Sequence, residues 1–204
     1  MLRTNVRYGS PIVIFGLGVL GLGAVAMGKN SGATVYAVSN HYAAHKIALK
    51  FGAHAVYDRN TTDELIKSLG NRLADTVIST TNSWSDWRTC MSLVGERGSI
   101  GVIGFPGRGE DIPKLNPLES EFFYDKQISI SSLGLAPESN DKRKHLKFNE
   151  KDNLKFILSE MKNGNINPSF LISGEYDWDK IDDAYMSLNS RDGSPLTYVL
   201  KWKE

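Results

Sequence analysis

Residues 12–21 have the sequence IVIFGLGVLG, and this stretch decides the fold. Its four leading apolar residues predict a buried strand, which the G-x-G-x-x-G spacing of Gly16, Gly18 and Gly21 follows directly. Gly16 permits a tight turn, Gly18 lets the backbone approach a pyrophosphate, and Gly21 lets the next helix pack against the strand. The helix N-terminus offers N–H groups to an anion. This spacing is weak evidence alone, but between a strand and a helix it predicts a dinucleotide site.

The end of the second predicted strand bears on which dinucleotide binds. Residues 33–38 form an apolar run, and an NAD-binding protein usually places an acid just beyond it, about 20 residues after the glycines. Ser39, Asn40 and His41 stand there instead, with Lys46 nearby. No carboxylate repels a 2′-phosphate and these side chains can donate to one, so we predict NADP, with NAD as the alternative. The same residues also suit the start of a helix.

Strands and helices alternate along the rest of the chain, which predicts an α/β fold with a doubly wound, six-stranded parallel sheet. The predicted strands are residues 12–15, 33–38, 55–57, 75–80, 98–105 and 127–133. Helices are predicted at residues 42–51, 61–69, 84–94 and 150–163, and loops at 106–125 and 137–147. A strand-helix-strand tail follows at 170–173, 178–188 and 196–202, so we divide the chain into residues 1–165 and 166–204.

Composition argues against several classes of protein. The 204 residues carry a formal net charge of +1, and the basic cluster at residues 142–145 is flanked by acids, so no nucleic-acid footprint is expected. The uncharged run at residues 8–28 resembles a membrane anchor, but its many glycines suit a strand-turn-helix better. One cysteine, Cys90, forbids an internal disulfide and is expected in the core. We therefore expect a cytoplasmic protein that does not bind a membrane.

Two patterns that suggest catalysis are set aside. His41 and His45 are four residues apart on one predicted helix, but no intervening Glu or third ligand accompanies them, so no metal site is predicted. Tyr42 and Lys46 have the Tyr-x-x-x-Lys spacing of short-chain dehydrogenases, but they follow the second strand instead of a later one. No residue of this chain is predicted to be catalytic.

Four segments carry a family resemblance: residues 12–21, 50–58 (KFGAHAVYD), 98–104 (GSIGVIG) and 176–185 (YDWDKIDDAY). Together with the turn at residues 49–53 they resemble the cofactor-binding half of the medium-chain dehydrogenase/reductase family, the zinc-type alcohol-dehydrogenase-like enzymes. The resemblance implies a Rossmann fold and hydride transfer between a nicotinamide and an alcohol, aldehyde, ketone or sugar. Members begin with a β-rich domain that holds the substrate cleft and, in some branches, the zinc ligands. No zinc ligands are expected in this chain.

That resemblance leaves two functions open. The chain is either the cofactor half of an oxidoreductase, whose small-molecule substrate needs the β-rich domain, or a nucleotide-binding module without turnover. A methyltransferase-like site is a weaker alternative, because it normally has an acid where Ser39 stands. The family also implies a homodimer through residues 127–133 and a tail that packs on the β-rich domain.

Strand topology adds further candidate contacts, because ligands of parallel sheets lie beyond the carboxyl ends of the strands. The Thr residues ending the fourth strand and the residues ending the fifth should flank the nicotinamide half, as the resemblance implies. The candidate cofactor contacts are Gly16, Gly18, Val19, Leu20, Gly21, Ser39, Asn40, His41, Lys46, Thr80, Thr81, Gly104 and Phe105.

Overall fold

The computed structural model describes residues 1–70, 72–114, 116, 118–134, 149–190 and 195–202. Its main sheet is parallel and has six strands in the order β3-β2-β1-β4-β5-β6. The strands are β1 (Pro11–Phe15), β2 (Thr34–Val38), β3 (Ala55–Tyr57), β4 (Ala74–Ser79), β5 (Val94–Val102) and β6 (Ser129–Ser132). The order reverses between β1 and β4, so the predicted doubly wound sheet is confirmed and its crevice lies at that reversal.

Helices connect the strands and cover both faces of the sheet. They are α1 (Val19–Asn30), α2 (Tyr42–Lys50), α3 (Thr62–Ser68), α4 (Trp84–Leu93), α5 (Glu150–Lys162) and α6 (Ile181–Asn189). The predicted loop at residues 137–147 and the basic cluster at 142–145 lie outside the described residues. None of the helices in the described ranges has the length and apolar character needed to cross a membrane.

The core consists of two apolar layers separated by the sheet. Ile12 and Ile14 of β1 pack with α1 and α2 on one face, and Val13 and Phe15 pack with α3 and α4 on the other. Successive side chains of a strand point to opposite faces, and both faces are covered, which explains why this strand is apolar throughout. Cys90 is fully buried in the second layer, as expected, and its burial raises the pKa of its thiol.

The tail forms a separate small sheet in which β7 (Ile172–Asp177) pairs in parallel with β8 (Thr197–Lys201) across α6. The predicted strand-helix-strand order is confirmed, but the first boundary is wrong. Pro168–Leu171 form a 3-10 helix, and the strand begins only at Ile172. Asn167 starts that helix, because its side chain accepts a hydrogen bond from the backbone N–H of Ser169 and Pro168 suits the first helical position.

Candidate functional site

A cleft of about 690 Å³ opens at the carboxyl ends of β1, β2 and β4, where the strand order reverses. This is the position where open α/β sheets bind their ligands. Its described lining combines the glycine turn, the end of β2, the end of β4 and parts of the tail. The lining residues are Gly16, Leu17, Gly18, Val19, Leu20, Gly21, Ser39, Asn40, His41, Arg59, Thr80, Thr81, Leu188 and Pro195.

The glycine turn leaves room for a phosphate beside the start of α1. Gly16 has a φ of +95°, which favours glycine, and its N–H donates to the carbonyl oxygen of Val38, 2.8 Å away. A Cβ on Gly21 would overlap the carbonyl group of Gly16, so this close approach of helix and turn requires a residue without a side chain. A Cβ on Gly18 would meet no atom of the described residues within 4 Å. The space in front of Gly18 is therefore open to a ligand.

Two threonines at the end of β4 form the floor of the cleft. Oγ1 of Thr80 donates to the carbonyl oxygens of Phe15 and Gly16, both at 3.2 Å, and so fixes the glycine turn. Oγ1 of Thr81 is buried and has no hydrogen-bond partner among the residues that the structure describes. Because a buried hydroxyl normally has a partner and Thr81 lines the cleft, this side chain is a candidate to bond a polar ligand once it rotates towards the cleft.

The end of β2 holds Ser39, Asn40 and His41 in a tightly bonded turn. Oγ of Ser39 accepts a hydrogen bond from the N–H of His41 at 3.0 Å, which closes a local turn. The helix-start role that the sequence also allowed for Ser39 and Asn40 is not found, because the N-cap residue of α2 is His41 and its side chain makes no capping hydrogen bond. Nε2 of His45 donates to the carbonyl oxygen of Ser39 at 2.6 Å. Oδ1 of Asn40 accepts from the N–H of Arg59 at 2.9 Å. These contacts fix the part of the cleft wall that lies at the end of β2.

Arg59 lines this wall, although the sequence did not identify it. Its Nε and Nη2 donate to the two carboxylate oxygens of Asp86 at 2.7 and 2.9 Å, and its guanidinium lies 5.6 Å from the ring centre of Phe15. The hydrogen bonds to Asp86 raise the pKa of Arg59. The detectable signal was its position directly beyond β3, at the same sheet edge as Ser39. Leu17, Leu188 and Pro195 were also missed.

Three candidate contacts lie outside the described cleft lining. Lys46 lies on the exposed side of α2. Gly104 packs against the backbone of Thr80, since an added Cβ would lie 2.6 Å from its carbonyl carbon. Phe105 is 72% exposed. The fifth strand ends at Val102 instead of residue 105, because the chain turns before Pro106.

Zinc requires a cluster of Cys, His or carboxylate ligands. In the described part of the chain no three such residues lie close enough to hold a metal ion. His45, which the sequence paired with His41, instead bonds the backbone at Ser39 and packs against the ring of Tyr42. The described residues therefore do not fit a zinc site.

Similarity to known protein families and sequences defines the class of this protein. A family model described as zinc-binding dehydrogenase matches residues 19–150, and the chain belongs to that family. A sorbitol dehydrogenase from Bacillus subtilis (strain 168) is 26% identical over 186 residues, which cover 89% of this chain and 47% of the relative. An NADP-dependent isopropanol dehydrogenase from Entamoeba histolytica is 22% identical over 204 residues, covering 97% of this chain and 51% of that protein.

A solved structure agrees with the fold. An oxidoreductase/dehydrogenase of unknown specificity from Escherichia coli superimposes with a TM-score of 0.79 at 17% identity, covering all of this chain and 54% of its own. At that identity the likeness establishes the fold alone. The chain spans about half the length of the curated relatives that it matches.

Proposed function

We propose that this chain binds NADP and is the cofactor-binding half of an alcohol-dehydrogenase-type oxidoreductase. The bound nicotinamide would exchange a hydride with an alcohol, aldehyde, ketone or sugar, if a catalytic domain supplies the substrate site. The observation that carries the proposal is the cleft at the strand-order reversal, in which the glycine turn leaves open space beside the start of α1. Family membership supports the reaction class.

The chain's own residues suggest how the dinucleotide would be held. The backbone N–H groups around Gly18, Val19 and Leu20 face the cleft at a helix N-terminus, a favourable place for the pyrophosphate. Ser39 and its neighbours line the wall where the adenosine ribose would lie. The unpartnered hydroxyl of Thr81 would then bond a polar group farther along the cofactor.

The charges at the cleft support the choice of NADP over NAD. Its described lining includes one arginine and no carboxylate. A carboxylate there would accept the ribose hydroxyl of NAD and repel the extra phosphate of NADP. Relatives named as NADP-dependent, from Entamoeba histolytica and Mycolicibacterium smegmatis, favour the same choice.

The binding test compares two glycine substitutions, one at the N-cap of α1 and one inside that helix. Gly18→Glu places a carboxylate in the open space of the cleft, whereas Gly23→Glu is the matched control, because Gly23 is outside the lining and an added Cβ there also meets nothing within 4 Å. In calorimetric titrations with NADPH and NADH, we expect Gly18→Glu to abolish the heat of binding and Gly23→Glu to retain it. Equal binding by both variants, or none by the parent chain, would contradict the proposal.

A second candidate function is a nucleotide-binding module without turnover. It is favoured by the described lining of the cleft, which contains candidate cofactor contacts and no residue that the sequence predicts to be catalytic. A panel of aldehydes, ketones and sugars with NADPH separates the two, since absorbance at the nicotinamide band should fall only if the chain itself catalyses hydride transfer. Binding without turnover would support the module, and restoration of turnover by an added β-rich domain would support the incomplete enzyme.

A homodimer is proposed through the edge of the main sheet. β6 is the last strand, and its Ser129 and Ser132 are exposed. The N–H of Leu133 donates to Val102 of β5, so by strand alternation the N–H of Ser132 points away from β5 and is available to a second copy. Light scattering should give a dimer for the parent and a monomer for Ser132→Pro; a monomeric parent at micromolar concentration would refute this interface.

A further inference from the structure

We propose that Arg59, held in place by Asp86, recognises the 2′-phosphate of NADP. This inference rests on the proposed function and names the side chain that would make the chain selective. Arg59 is the one charged residue in the described lining of the cleft. A compact phosphate dianion needs such a partner, and the planar guanidinium fork of arginine matches its oxygens.

The position of Arg59 matches the ribose end of the cofactor. Its backbone N–H donates to Oδ1 of Asn40, which directly follows Ser39 at the end of β2. In this fold the residue after the second strand lies beside the adenosine ribose. The backbone bond therefore joins the turn after β3 to the part of the wall where a 2′-phosphate would project. The glycine turn, by contrast, follows β1 and would hold the pyrophosphate.

Asp86 is a positioning residue, because it fixes the guanidinium without lining the cleft. Its side chain is only 8% exposed, whereas that of Arg59 is 34% exposed, so the pair consists of a buried carboxylate and an accessible guanidinium cation. The Asp86 carboxylate accepts hydrogen bonds from Nε and Nη2 of Arg59, and Nη1 takes no part in this pair. The ring of Phe15 lies beneath the guanidinium and limits its movement. The fork is thus ordered before a ligand arrives, which reduces the entropy cost of binding.

The charge of Asp86 does not cancel the attraction of Arg59 for a phosphate. Asp86 lies in the first turn of α4, where the helix N-terminus also stabilises a carboxylate. Part of its charge is therefore balanced by the helix, and the Arg59 side chain, which is 34% exposed, remains attractive to an anion. The negative charge of the pair thus lies on the buried Asp86, and its positive charge lies on Arg59, which lines the cleft.

The test compares the affinities for NADPH and NADH, measured by nicotinamide fluorescence, in matched variants of the full 204-residue chain. Arg59→Gln should weaken NADPH binding roughly ten- to a hundredfold, the range of a charge-assisted hydrogen bond, while NADH binding stays within about twofold. Arg59→Lys should fall between, because it keeps the charge and loses the fork. Arg72→Gln is the control, since Arg72 is an exposed arginine outside the cleft lining.

Variants of Asp86 test whether this residue positions Arg59 for the phosphate or only stabilises the fold through the ion pair. Asp86→Asn should lower the affinity for NADPH and leave that for NADH unchanged; a rise in NADPH affinity would show that the carboxylate competes with the phosphate and would overturn the positioning role. The double variant with Arg59→Gln and Asp86→Asn leaves no unpaired buried charge, so it should fold even if Arg59→Gln does not. It should bind the two coenzymes with nearly equal affinity.

Failure of this inference is distinguishable from failure of the proposed function. A parent chain that binds neither coenzyme refutes both. In the other case, the parent chain binds both coenzymes, and Arg59→Gln and the double variant leave the NADPH-to-NADH affinity ratio unchanged. That result overturns the role of Arg59 and leaves the proposed function intact. Loss of thermal stability with an unchanged ratio leads to the same conclusion, because the pair would then only connect β3 to α4.

Discussion

Replacement of Gly21 by alanine tests the close approach between α1 and the glycine turn. The added Cβ would overlap the carbonyl oxygen of Gly16 and lie 2.9 Å from its carbonyl carbon. Both atoms belong to backbone, which cannot move aside as the end of a flexible side chain can. Moreover, Thr80 bonds the same carbonyl oxygen at 3.2 Å. The helix must therefore shift away from the turn, and we expect the variant to be destabilised.

The size of the effect is obtained by comparison with Gly23→Ala. Gly23 lies two residues later in the same helix, and an added Cβ there meets nothing within 4 Å. Both substitutions gain about 1 kcal/mol of helix propensity, so the difference between them isolates the cost of the overlap. Overpacking against a rigid neighbour costs about 2–3 kcal/mol, towards the upper end of its usual range. Gly23→Ala should be stabilised by about 1 kcal/mol and Gly21→Ala destabilised by about 1–2 kcal/mol.

Urea denaturation followed by circular dichroism measures both free energies of unfolding, and parallel NADPH titrations report on the turn. We expect Gly21→Ala to lose coenzyme affinity as the turn is displaced, and Gly23→Ala to retain it. If the two variants unfold at the same urea concentration, then α1 does not approach the turn as the structure describes, and the argument for the phosphate site loses its geometric basis.

Three further predictions concern the framework around the site. The Cys90 thiol is fully buried and burial raises its pKa, so it should resist a thiol reagent in the native chain and react fully in denaturant; rapid native reaction would contradict its core position. Lys126 donates to three carbonyl oxygens around the end of α4, so Lys126→Met should lower the free energy of unfolding by about 1–2 kcal/mol in urea, whereas an unchanged midpoint would refute this cap. Oγ of Ser83 accepts from the N–H of Ser85, so Ser83→Ala should cost about 0.5–1 kcal/mol, and rescue by Ser83→Asp would confirm capping as the cause.

The sequence predicted the parts of the structure that local patterns determine. The apolar run of β1 and the glycines after it are contiguous, so their order predicts strand, turn and helix directly. Thr80 and Thr81 were identified from topology, since the carboxyl ends of parallel strands share one edge. The limits of elements were predicted less accurately. The apolar residues after β5 continue to Phe105, but the strand ends at Val102, shortly before Pro106. The apolar residues from Phe170 precede β7, because Pro168 begins a 3-10 helix that ends at Leu171.

Arg59 shows why part of the site could not be predicted. Its side chain is placed by Asp86, which is 27 residues away in sequence, and by a backbone bond to Asn40, 19 residues away. Neither partner is detectable from spacing, because nothing in a single sequence pairs a loop arginine with an acid in a later helix. By contrast, Ser39 and His41 were found because the second strand ends immediately before them.

The two walls of the cleft should therefore differ in what a substitution does. On one wall, backbone N–H groups at the glycine turn would hold a pyrophosphate that NAD and NADP share, so a change at Gly18 should affect both coenzymes alike. On the other wall, a side chain fixed by a distant acid would contact the phosphate that only NADP has, so a change at Arg59 should affect one coenzyme. The class of ligand would then depend on a local motif, and the choice within that class on tertiary packing, which lets selectivity change without disturbing the fold.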